Sequence, residues 1–478
     1  MTSSFERYAA ATARLDGFIE HANAPENKSL EAVRERAEFR MGRLRSFLEV
    51  LGNPQEQYPI VHVGGTSGKG STSTTIAAIA TASGYRTGLH TSPYLQTPLE
   101  KLQIDGQLLG PDRFADLVEE LLITHERWVQ AGQESLTYGE LWVALTLQVF
   151  ASEKVDLAVI EVGAGGRFDL TNVVMPVLSV ITSVGIDHTQ TLGSTIEAIA
   201  WHKAGIIKPG VPAVTAATHP AALEIIRQEA AVRESALTII PEAIEVQQTG
   251  PDGTTWLDPT TGRMQTIALG GTFQARNGAT AVAAATILAG RGWKITADTI
   301  AAGLLAARIP GRIELVRDRV PVLLDGAHNP EKIAALAHDI PQLLAHGPSG
   351  RRIAVLGVLE AKQADDMFRQ LIPVVDEIVA TSPQVLAKAS KNASDIAEIA
   401  RRAGFHGRVT VEPEPKAAMA IALDAVQDEA EDAILVTGSL YLIGNIRERW
   451  FHERDIVLQR TPWPVSLVDA SAGSGQSE

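Results

Sequence analysis

The sequence feature that most constrains the fold is a repeated alternation between short apolar runs and alanine-rich stretches. The apolar runs are continuous over about five to eight residues, as in VDLAVIEV at 155–162 and RIAVLGV at 352–358. Continuous runs of this length are typical of strands that are buried on both faces of a parallel sheet. The alanine-rich stretches between them predict crossover helices. The sequence therefore predicts an α/β fold with mostly parallel sheets.

Three segments interrupt this alternation and indicate the domain organisation. Residues 1–52 are predicted to be helical, because their Arg- and Glu-rich runs end at the stop signal GNP at 52–54. Residues 245–265 are polar and rich in turn residues, which predicts one or two hairpins at a sheet edge. A Gly/Pro-rich segment then precedes a second strand–helix series. We predict an N-terminal domain over 1–305, a linker over 306–312, a smaller C-terminal α/β domain over 313–469 and a disordered tail over 470–478.

The composition restricts the class of protein. Of the 478 residues, 45% are hydrophobic, which is enough for large cores and excludes a disordered or fibrous chain. Cysteine is absent, which excludes disulfides, cysteine-ligated zinc or iron–sulfur sites and a thiol nucleophile. The net charge of −14 is unfavourable for general binding of nucleic acid or anionic membranes. With no signal-peptide pattern and no long apolar segment, we expect a cytoplasmic protein. We also expect a monomer whose partners are small molecules, not nucleic acid or membranes.

The strongest local signal is GGTSGKGS at 64–71, which follows a predicted strand and opens a predicted helix. Glycines allow successive backbone N–H groups to converge on phosphate oxygens, and the helix N-terminus adds partial positive charge. Lys69 can reach the terminal phosphates, and the Ser71 hydroxyl can bind a phosphate or Mg²⁺. The spacing departs from the strict phosphate-loop pattern, because Gly70 separates Lys69 from Ser71. Nucleotide binding is favoured over a glycine-rich turn that only links strand to helix.

Residues at the ends of other predicted strands could hold a metal ion, because ligands of open α/β sheets bind beyond the carboxyl ends of the strands. Glu161 lies at the end of one apolar run, and Asp187 and His188 follow the next. A carboxylate beside a phosphate loop suits Mg²⁺, whereas histidine is an uncommon Mg²⁺ ligand. Ser92 follows a shorter strand, although a Ser-Pro turn is the commoner explanation for it. The pattern leaves open that Glu161 forms a salt bridge and that His188 forms only hydrogen bonds.

Taken together, these residues resemble the folylpolyglutamate synthase and dihydrofolate synthase family of the Mur-ligase superfamily. The motifs that carry the resemblance run through most of the chain: LGNPQ (51–55), GGTSGKGS (64–71), TSPYL (91–95), EVGAGGRFDLTNV (161–173), IDH (186–188), HKAGIIKPG (202–210), PGRIE (310–314), DGAHNP (325–330) and VTGSLYLIG (436–444). The resemblance implies an ATP-dependent, amide-forming ligase. It also implies an N-terminal P-loop nucleotide-binding domain and a C-terminal Rossmann-like domain.

The resemblance implies a set of ATP contacts. In the phosphate loop these are Gly65, Thr66, Ser67, Gly68, Lys69, Gly70 and Ser71. Outside the loop, Asn277 matches a residue near the adenine, and Arg312 and Asp325 match contacts from the second domain. His328 resembles a contact to an incoming glutamate.

The resemblance also implies a magnesium site. Ser92, Glu161 and His188 match the family's magnesium ligands. From the local sequence alone, Lys203 would be a solvated helix lysine. It matches, however, a lysine that family members carbamylate. Carbamylation converts an ammonium into an anion that can hold a second Mg²⁺. The implied catalytic residues are thus Lys69, His188 and Lys203, with ATP and two Mg²⁺ ions and no organic prosthetic group.

The chain departs from the family pattern at several positions. Ser67 stands where the family has an asparagine, and Gly278 stands where alanine is usual. Lys101 replaces an arginine on the acceptor side, beside a retained Glu100.

The implied reaction joins L-glutamate to the carboxylate of a pteroate or folate acceptor through an acyl phosphate. Two alternatives remain: a Mur-type ligase that adds an amino acid to a cell-wall nucleotide precursor, and a P-loop ATPase or switch without ligase activity. The DGAHNP and LGNPQ motifs favour the folate reaction over the cell-wall one.

Overall fold

The structure is a computed structural model that describes residues 2–19, 29–344, 350–386 and 388–465. The expected tail over 470–478 lies outside the described residues. The helices are α1 Ser4–Asp16, α2 Leu30–Val50, α3 Lys69–Ala82, α4 Pro111–Gln130, α5 Tyr138–Ser152, α6 Thr189–Leu192, α7 Ile196–Ala204, α8 Pro220–Val232, α9 Phe273–Gly290, α10 Ala297–Ala306, α11 Pro330–Leu343, α12 Ala364–Leu371, α13 Ala393–Arg402, α14 Pro415–Asp424, α15 Leu440–Arg447 and α16 Glu453–Gln459.

The strands alternate with these helices. They are β1 Ile60–Gly64, β2 Thr87–His90, β3 Gln103–Ile104, β4 Gln107–Leu108, β5 Leu157–Glu161, β6 Leu178–Ile181, β7 Ala213–Thr215, β8 Leu237–Ile239, β9 Val246–Gly250, β10 Gly253–Leu257, β11 Met264–Ile267, β12 Glu314–Arg317, β13 Pro321–Asp325, β14 Arg352–Leu356, β15 Glu377–Ala380, β16 Arg408–Val411 and β17 Ala433–Thr437. The predicted α/β class with mostly parallel sheets is confirmed. No helix in the described ranges is both long and apolar enough to cross a bilayer.

The first sheet has the order β4-β3-β2-β5-β1-β6-β7-β8. Its pairs from β2 to β8 are parallel, and only the short β3 and β4 pair antiparallel. Helices cover both faces: Ile60 packs into a core with α1, α2, α4 and α5, whereas its neighbour Val61 packs with α3, α9 and α10. Burial on both faces explains why the strand sequences are continuously apolar rather than alternating.

The segment 245–265 forms antiparallel strands as predicted, but its predicted place at a sheet edge is wrong. Strands β9, β10 and β11 form a separate three-stranded sheet. Trp256 of β10 is fully buried and packs on Gly278 of α9, where an added Cβ would lie 2.4 Å from the indole ring. Gly278 therefore replaces the usual alanine because the indole occupies the space of a methyl group. The turn-rich pattern revealed the hairpins but not the helix that they pack against.

The second sheet has the order β12-β13-β17-β14-β15-β16, with only β12 antiparallel. Its two faces are covered by separate apolar cores, one with α11, α12 and α13 and the other with α14 and α15. The carboxyl ends of its strands face those of the first sheet across a common cavity. The division at 306–312 stays a prediction.

The C-terminal end of the described chain returns to the core of the first sheet, where Ile456 and Val457 of α16 pack with α1. Arg447, which is fully buried, lies where the two sheets' elements meet. Its guanidinium donates to both carboxylate oxygens of Glu314 at 2.8–3.1 Å and to Oε1 of Gln96 at 2.5 Å. Gln96 follows β2 and Glu314 begins β12, so Arg447 connects the two units.

We expect the Arg447→Met variant to lower the free energy of unfolding by about 3–5 kcal/mol, because it leaves the Glu314 carboxylate buried without its cation. Denaturant and thermal unfolding would measure this loss. The matched control is Arg319→Met, which removes an exposed pair with Glu429 at 2.8 Å and should cost less than about 1 kcal/mol. Equal stability losses in the two variants would contradict the role assigned to Arg447.

Candidate active site

The candidate site is a cavity of about 1390 Å³ between the carboxyl ends of the two sheets. Most of the residues predicted for the site line it: Thr66, Ser67, Gly68, Lys69, Gly70, Ser71, Ser92, Glu161, His188, Asn277, Arg312, Asp325 and His328. Two predicted residues do not line the cavity. Gly65 lies at the base of the phosphate loop, against Thr182, and Lys203 is buried on α7.

The phosphate loop connects β1 to α3 through a backbone that glycine makes possible. Gly68 has φ +83°, and a Cβ on it would lie 2.1 Å from Oδ1 of Asn277 on α9. The loop is held from the other side by the segment after β6. There the Thr66 N–H donates to the Ser183 carbonyl at 2.7 Å, and the Thr182 hydroxyl donates to the Ser67 carbonyl at 2.7 Å. Two elements therefore fix the loop in the shape that a phosphate needs.

We expect Gly68→Ala to weaken the binding of a non-hydrolysable ATP analogue at least tenfold, as measured by calorimetric titration. The methyl group would meet Asn277 and would disfavour the left-handed backbone, so the loop must shift. Gly84→Ala is the matched control, since Gly84 has φ +87° but no atom within 4 Å of its Cβ position. Equal affinity losses in both variants would contradict the role assigned to the fit between Gly68 and Asn277.

Glu161 lies at the carboxyl end of β5, beside the phosphate loop. One carboxylate oxygen is 4.0 Å from Nζ of Lys69, and the other accepts a hydrogen bond from the Ser92 N–H at 3.1 Å. Burial raises the pKa of Glu161, while the nearby Lys69 opposes that rise. A partly compensated buried carboxylate of this kind favours a further cation.

The donor chemistry here fits Mg²⁺. Within the described ranges, no three His, Asp or Glu side chains cluster closely enough to cage a metal ion. Mg²⁺ needs no such cage, because it keeps several waters and binds through one or two carboxylates together with substrate phosphates. Glu161 and the Ser92 hydroxyl line the cavity beside the phosphate loop and supply oxygen donors of this type.

The segment after β6 brings Asp187 and His188 to the same cavity. His188 has φ +51° and its Nε2 lies 4.0 Å from the Asp187 carboxylate. Burial opposes ionisation of Asp187, but His188 and Lys362 still hold its pKa below the usual range. Nζ of Lys362, which follows β14 in the second sheet, lies 3.5 Å from Asp187. This ion pair links the two units across the cavity.

Lys203 is only 3% exposed. Burial, together with repulsion from Lys69, lowers the pKa of Lys203 to about 7. The local sequence around Lys203 predicts a side chain in solvent. Its burial therefore becomes visible only in the folded structure.

The second sheet contributes the opposite side of the cavity at the end of β13. Both carboxylate oxygens of Asp325 accept backbone hydrogen bonds, from Ile313 at 3.0 Å and from Ala327 at 2.8 Å. Burial raises the pKa of Asp325. Arg312 packs against Gly326, where a Cβ would lie 2.4 Å from its guanidinium. Asp325 thus holds together the two loops that present Arg312 and His328.

Four lysines that are not among the predicted site residues line the cavity: Lys101, Lys332, Lys362 and Lys388. Lys101 lies over the rings of Trp142 at 4.2 Å, Tyr94 at 5.2 Å and Tyr138 at 5.3 Å. Burial lowers the pKa of Lys101 to about 8. The replacement of arginine at this position therefore keeps a cation in an aromatic setting. Lys332 comes two residues after the end of the DGAHNP motif. This neighbourhood is the only sequence feature that points to it.

Comparison with known families defines the class of protein. The Mur ligase middle domain matches residues 63–285, and the Mur ligase glutamate ligase domain matches residues 311–440. Two α/β units that meet over a phosphate loop, as seen here, are therefore those of a Mur-type ligase.

Individual relatives narrow the class. The chain is 34% identical to the dihydrofolate synthase/folylpolyglutamate synthase of Bacillus subtilis, over 86% of this chain and 94% of that one. It is 33% identical to the Mycobacterium tuberculosis protein of the same name, over 85% and 88%. The chain belongs to the folylpolyglutamate synthase/dihydrofolate synthase family and is an ATP-dependent ligase that adds glutamate.

Solved structures share this fold over nearly their whole length. The Mycobacterium tuberculosis folylpolyglutamate synthase complexed with ADP is 28% identical, with a TM-score of 0.79, over 94% of this chain and 99% of that one. A folylpolyglutamate synthase complex with AMPPCP and folate is 31% identical, with a TM-score of 0.75, over 92% and 99%.

Proposed function

We propose that the protein joins L-glutamate to the carboxylate of a dihydropteroate or folate acceptor, giving dihydrofolate, folylpolyglutamate or both. The observation that carries this proposal is the placement of Lys69 4.0 Å from Glu161, at a phosphate loop that faces the cationic wall of the second sheet. The names of its relatives and the AMPPCP–folate complex of a related enzyme support the choice of acceptor over a cell-wall precursor.

The chemistry begins with an acceptor carboxylate, which is a poor acyl donor. Its oxygen attacks the γ-phosphorus of ATP, the bond to the bridging oxygen breaks, and ADP leaves. The product is an acyl phosphate with a good leaving group. The amine of glutamate then attacks the acyl carbon, loses a proton, and displaces inorganic phosphate. No nucleophilic side chain is required, so the protein acts by positioning and by stabilising charge.

Residues of the first sheet surround the phosphoryl group while it passes from ATP to the acceptor carboxylate. Lys69 and the backbone N–H groups of the phosphate loop stabilise its negative charge, and Ser71 lines the same wall. Glu161, Ser92 and His188 would hold Mg²⁺, and a carbamylated Lys203 would supply a further anionic ligand for a second ion. When bound, Mg²⁺ neutralises charge on the phosphates.

Residues of the second sheet complete the site. Arg312 faces the cavity from a loop that Asp325 holds in place, and it would contact the nucleotide. The ion pair between Lys362 and Asp187 holds the two units together over the site, which excludes water from the acyl phosphate. Asn277, which packs on Gly68, would lie beside the nucleotide.

The test is incubation of the protein with ATP, Mg²⁺, glutamate and either dihydropteroate or a reduced folate, followed by mass analysis. Addition of one or more glutamate residues to either acceptor is the expected result. ATP hydrolysis without any glutamyl product would contradict the proposal and favour a nucleotide switch. Addition of an amino acid to a muramyl nucleotide, but to neither acceptor, would favour the cell-wall alternative.

A further inference from the structure

The loop that follows β2, residues 91–97, belongs to the first sheet but is anchored in the second. Its residues Ser92 and Tyr94 line the cavity. Leu95 is 7% exposed and packs into the apolar core between the second sheet and helices α14 and α15. Every other described residue of that core follows residue 312. One side chain of a first-sheet loop therefore lies inside the second unit.

Two glycines of the second unit make room for Leu95. Gly444 lies inside α15, and a Cβ added there would overlap the carbonyl oxygen of Leu95. A Cβ on Gly311, which precedes β12, would lie 3.1 Å from Cδ2 of Leu95. Glycine destabilises a helix interior relative to alanine. The close approach of the Leu95 backbone explains why position 444 nevertheless carries one.

The 91–97 loop is rigid enough to transmit a displacement of Leu95. The buried carboxylate of Glu100 accepts hydrogen bonds from the backbone N–H groups of Leu95 at 2.7 Å, Gln96 at 2.9 Å and Thr97 at 3.1 Å. At the other end of the loop, the Ser92 N–H donates to Glu161 at 3.1 Å. The position of Leu95 in the second unit is thereby linked to the carboxylate beside Lys69.

The sheet order places this loop beside the phosphate loop. In the first sheet, β5 and β1 lie between β2 and β6. Glu161 ends β5 and the phosphate loop follows β1, so both lie between the 91–97 loop and the segment after β6. Leu95 connects to the second unit on one side, and the ion pair between Asp187 and Lys362 connects to it on the other. Two connections thus flank the place where the acyl phosphate would form.

From these observations we infer that Leu95 is a positioning residue, whose packing in the second unit places Ser92 beside Glu161 and closes this side of the cavity to water. The inference rests on the proposed function, because it concerns the same reaction. Without that packing, water competes with glutamate for the acyl phosphate. Water that attacks the acyl carbon and loses a proton returns the acceptor carboxylate and releases inorganic phosphate, so phosphate forms without an amide bond.

The test measures inorganic phosphate and glutamyl product in the same reaction of the full-length enzyme. The native ratio should be close to one phosphate per amide bond. We expect Leu95→Ala to raise this ratio about threefold or more and to lower kcat for amide formation, with the affinity for a non-hydrolysable ATP analogue within about twofold of native. Leu95→Met conserves the side-chain volume and should return the ratio towards the native value.

The control for a purely structural effect is Leu423→Ala. Leu423 of α14 is 4% exposed and belongs to the same apolar core, so its truncation leaves a similar cavity there without changing the 91–97 loop. Its ratio of phosphate to amide should remain native even where its thermal unfolding midpoint falls as far as that of Leu95→Ala. The ratio does not depend on how much of a variant is folded, because both products come from the same active molecules.

A second variant approaches the contact from the other unit. Gly444→Ala leaves the Leu95 side chain intact but displaces its carbonyl group, and it should also raise the ratio. The matched control is Gly42→Ala, since Gly42 lies inside α2 with no atom within 4 Å of its Cβ position.

Two outcomes would overturn the inference: a native ratio in both Leu95→Ala and Gly444→Ala, or an equal rise in Leu423→Ala. Both are read against a native enzyme that forms the glutamyl product. A native enzyme that consumes ATP without forming it would instead refute the proposed function.

Discussion

The Lys69→Ala variant is expected to lower kcat/KM by about 10²–10³-fold, because it removes a preorganised cation from the transferring phosphoryl group. The expectation depends on the place of Lys69 at the first residue of α3, in the loop that two other elements hold. Removing it also leaves Glu161 without the cation that lies 4.0 Å away. Steady-state formation of the glutamyl product measures the effect.

The same experiment needs a control for folding and for charge. Lys416→Ala removes an exposed lysine on α14 and should retain native activity. The thermal unfolding midpoint of Lys69→Ala is measured as well, and turnover is compared well below it, because the variant leaves the buried Glu161 without its nearby cation. Near-native turnover by the variant would remove Lys69 from phosphoryl transfer. Isosteric removal of the neighbouring carboxylate by Glu161→Gln should cause a loss of similar size.

The second large effect is expected for Lys203, whose replacement by alanine should lower kcat at least a hundredfold. A buried lysine with a pKa of about 7 is in part a neutral amine at physiological pH, and the neutral amine is the form that reacts with CO₂. Raising the CO₂ concentration should not rescue Lys203→Ala, whereas a small carboxylate such as acetate should restore part of the rate. Lys203→Arg keeps the charge but cannot be carbamylated, so its activity should fall as far as that of the alanine variant.

A direct measurement accompanies the kinetics. With ¹³C-bicarbonate, the native protein should show a carbamate carbon resonance that Lys203→Ala and Lys203→Arg lack. A fully active arginine variant, or the same resonance in all three proteins, would rule out carbamylation of Lys203.

Much of the fold could be predicted because burial on both faces leaves a strong local pattern. Leu157–Glu161 is apolar up to its last residue, and only a strand covered by helices on both sides needs that sequence. The placement of β9–β11 could not be predicted, since local pattern specifies antiparallel pairing but not the neighbouring element. The packing of α16 against α1 likewise depends on contacts between the two ends of the chain.

Some residues of the candidate site could likewise be predicted from the sequence, and others could not. Lys69 and Glu161 could be found because a phosphate loop and the end of a parallel strand have fixed positions in this class of fold. Lys332 and Lys362 could not, because each is an ordinary helix or loop lysine until the second sheet brings it to the cavity. Lys203 is the clearest case in which the local sequence pattern predicts the wrong environment. Its place on a short helix predicts a solvated side chain, yet it is 3% exposed.

The claim that the acceptor carboxylate is phosphorylated can be tested with an acceptor that carries ¹⁸O in that carboxylate. The reaction is run with ATP, Mg²⁺ and glutamate, and the released phosphate is examined by mass spectrometry. We predict one ¹⁸O atom in the inorganic phosphate for each amide bond formed, because the attacking carboxylate oxygen leaves with the phosphoryl group. Glutamyl product accompanied by unlabelled phosphate would contradict the mechanism.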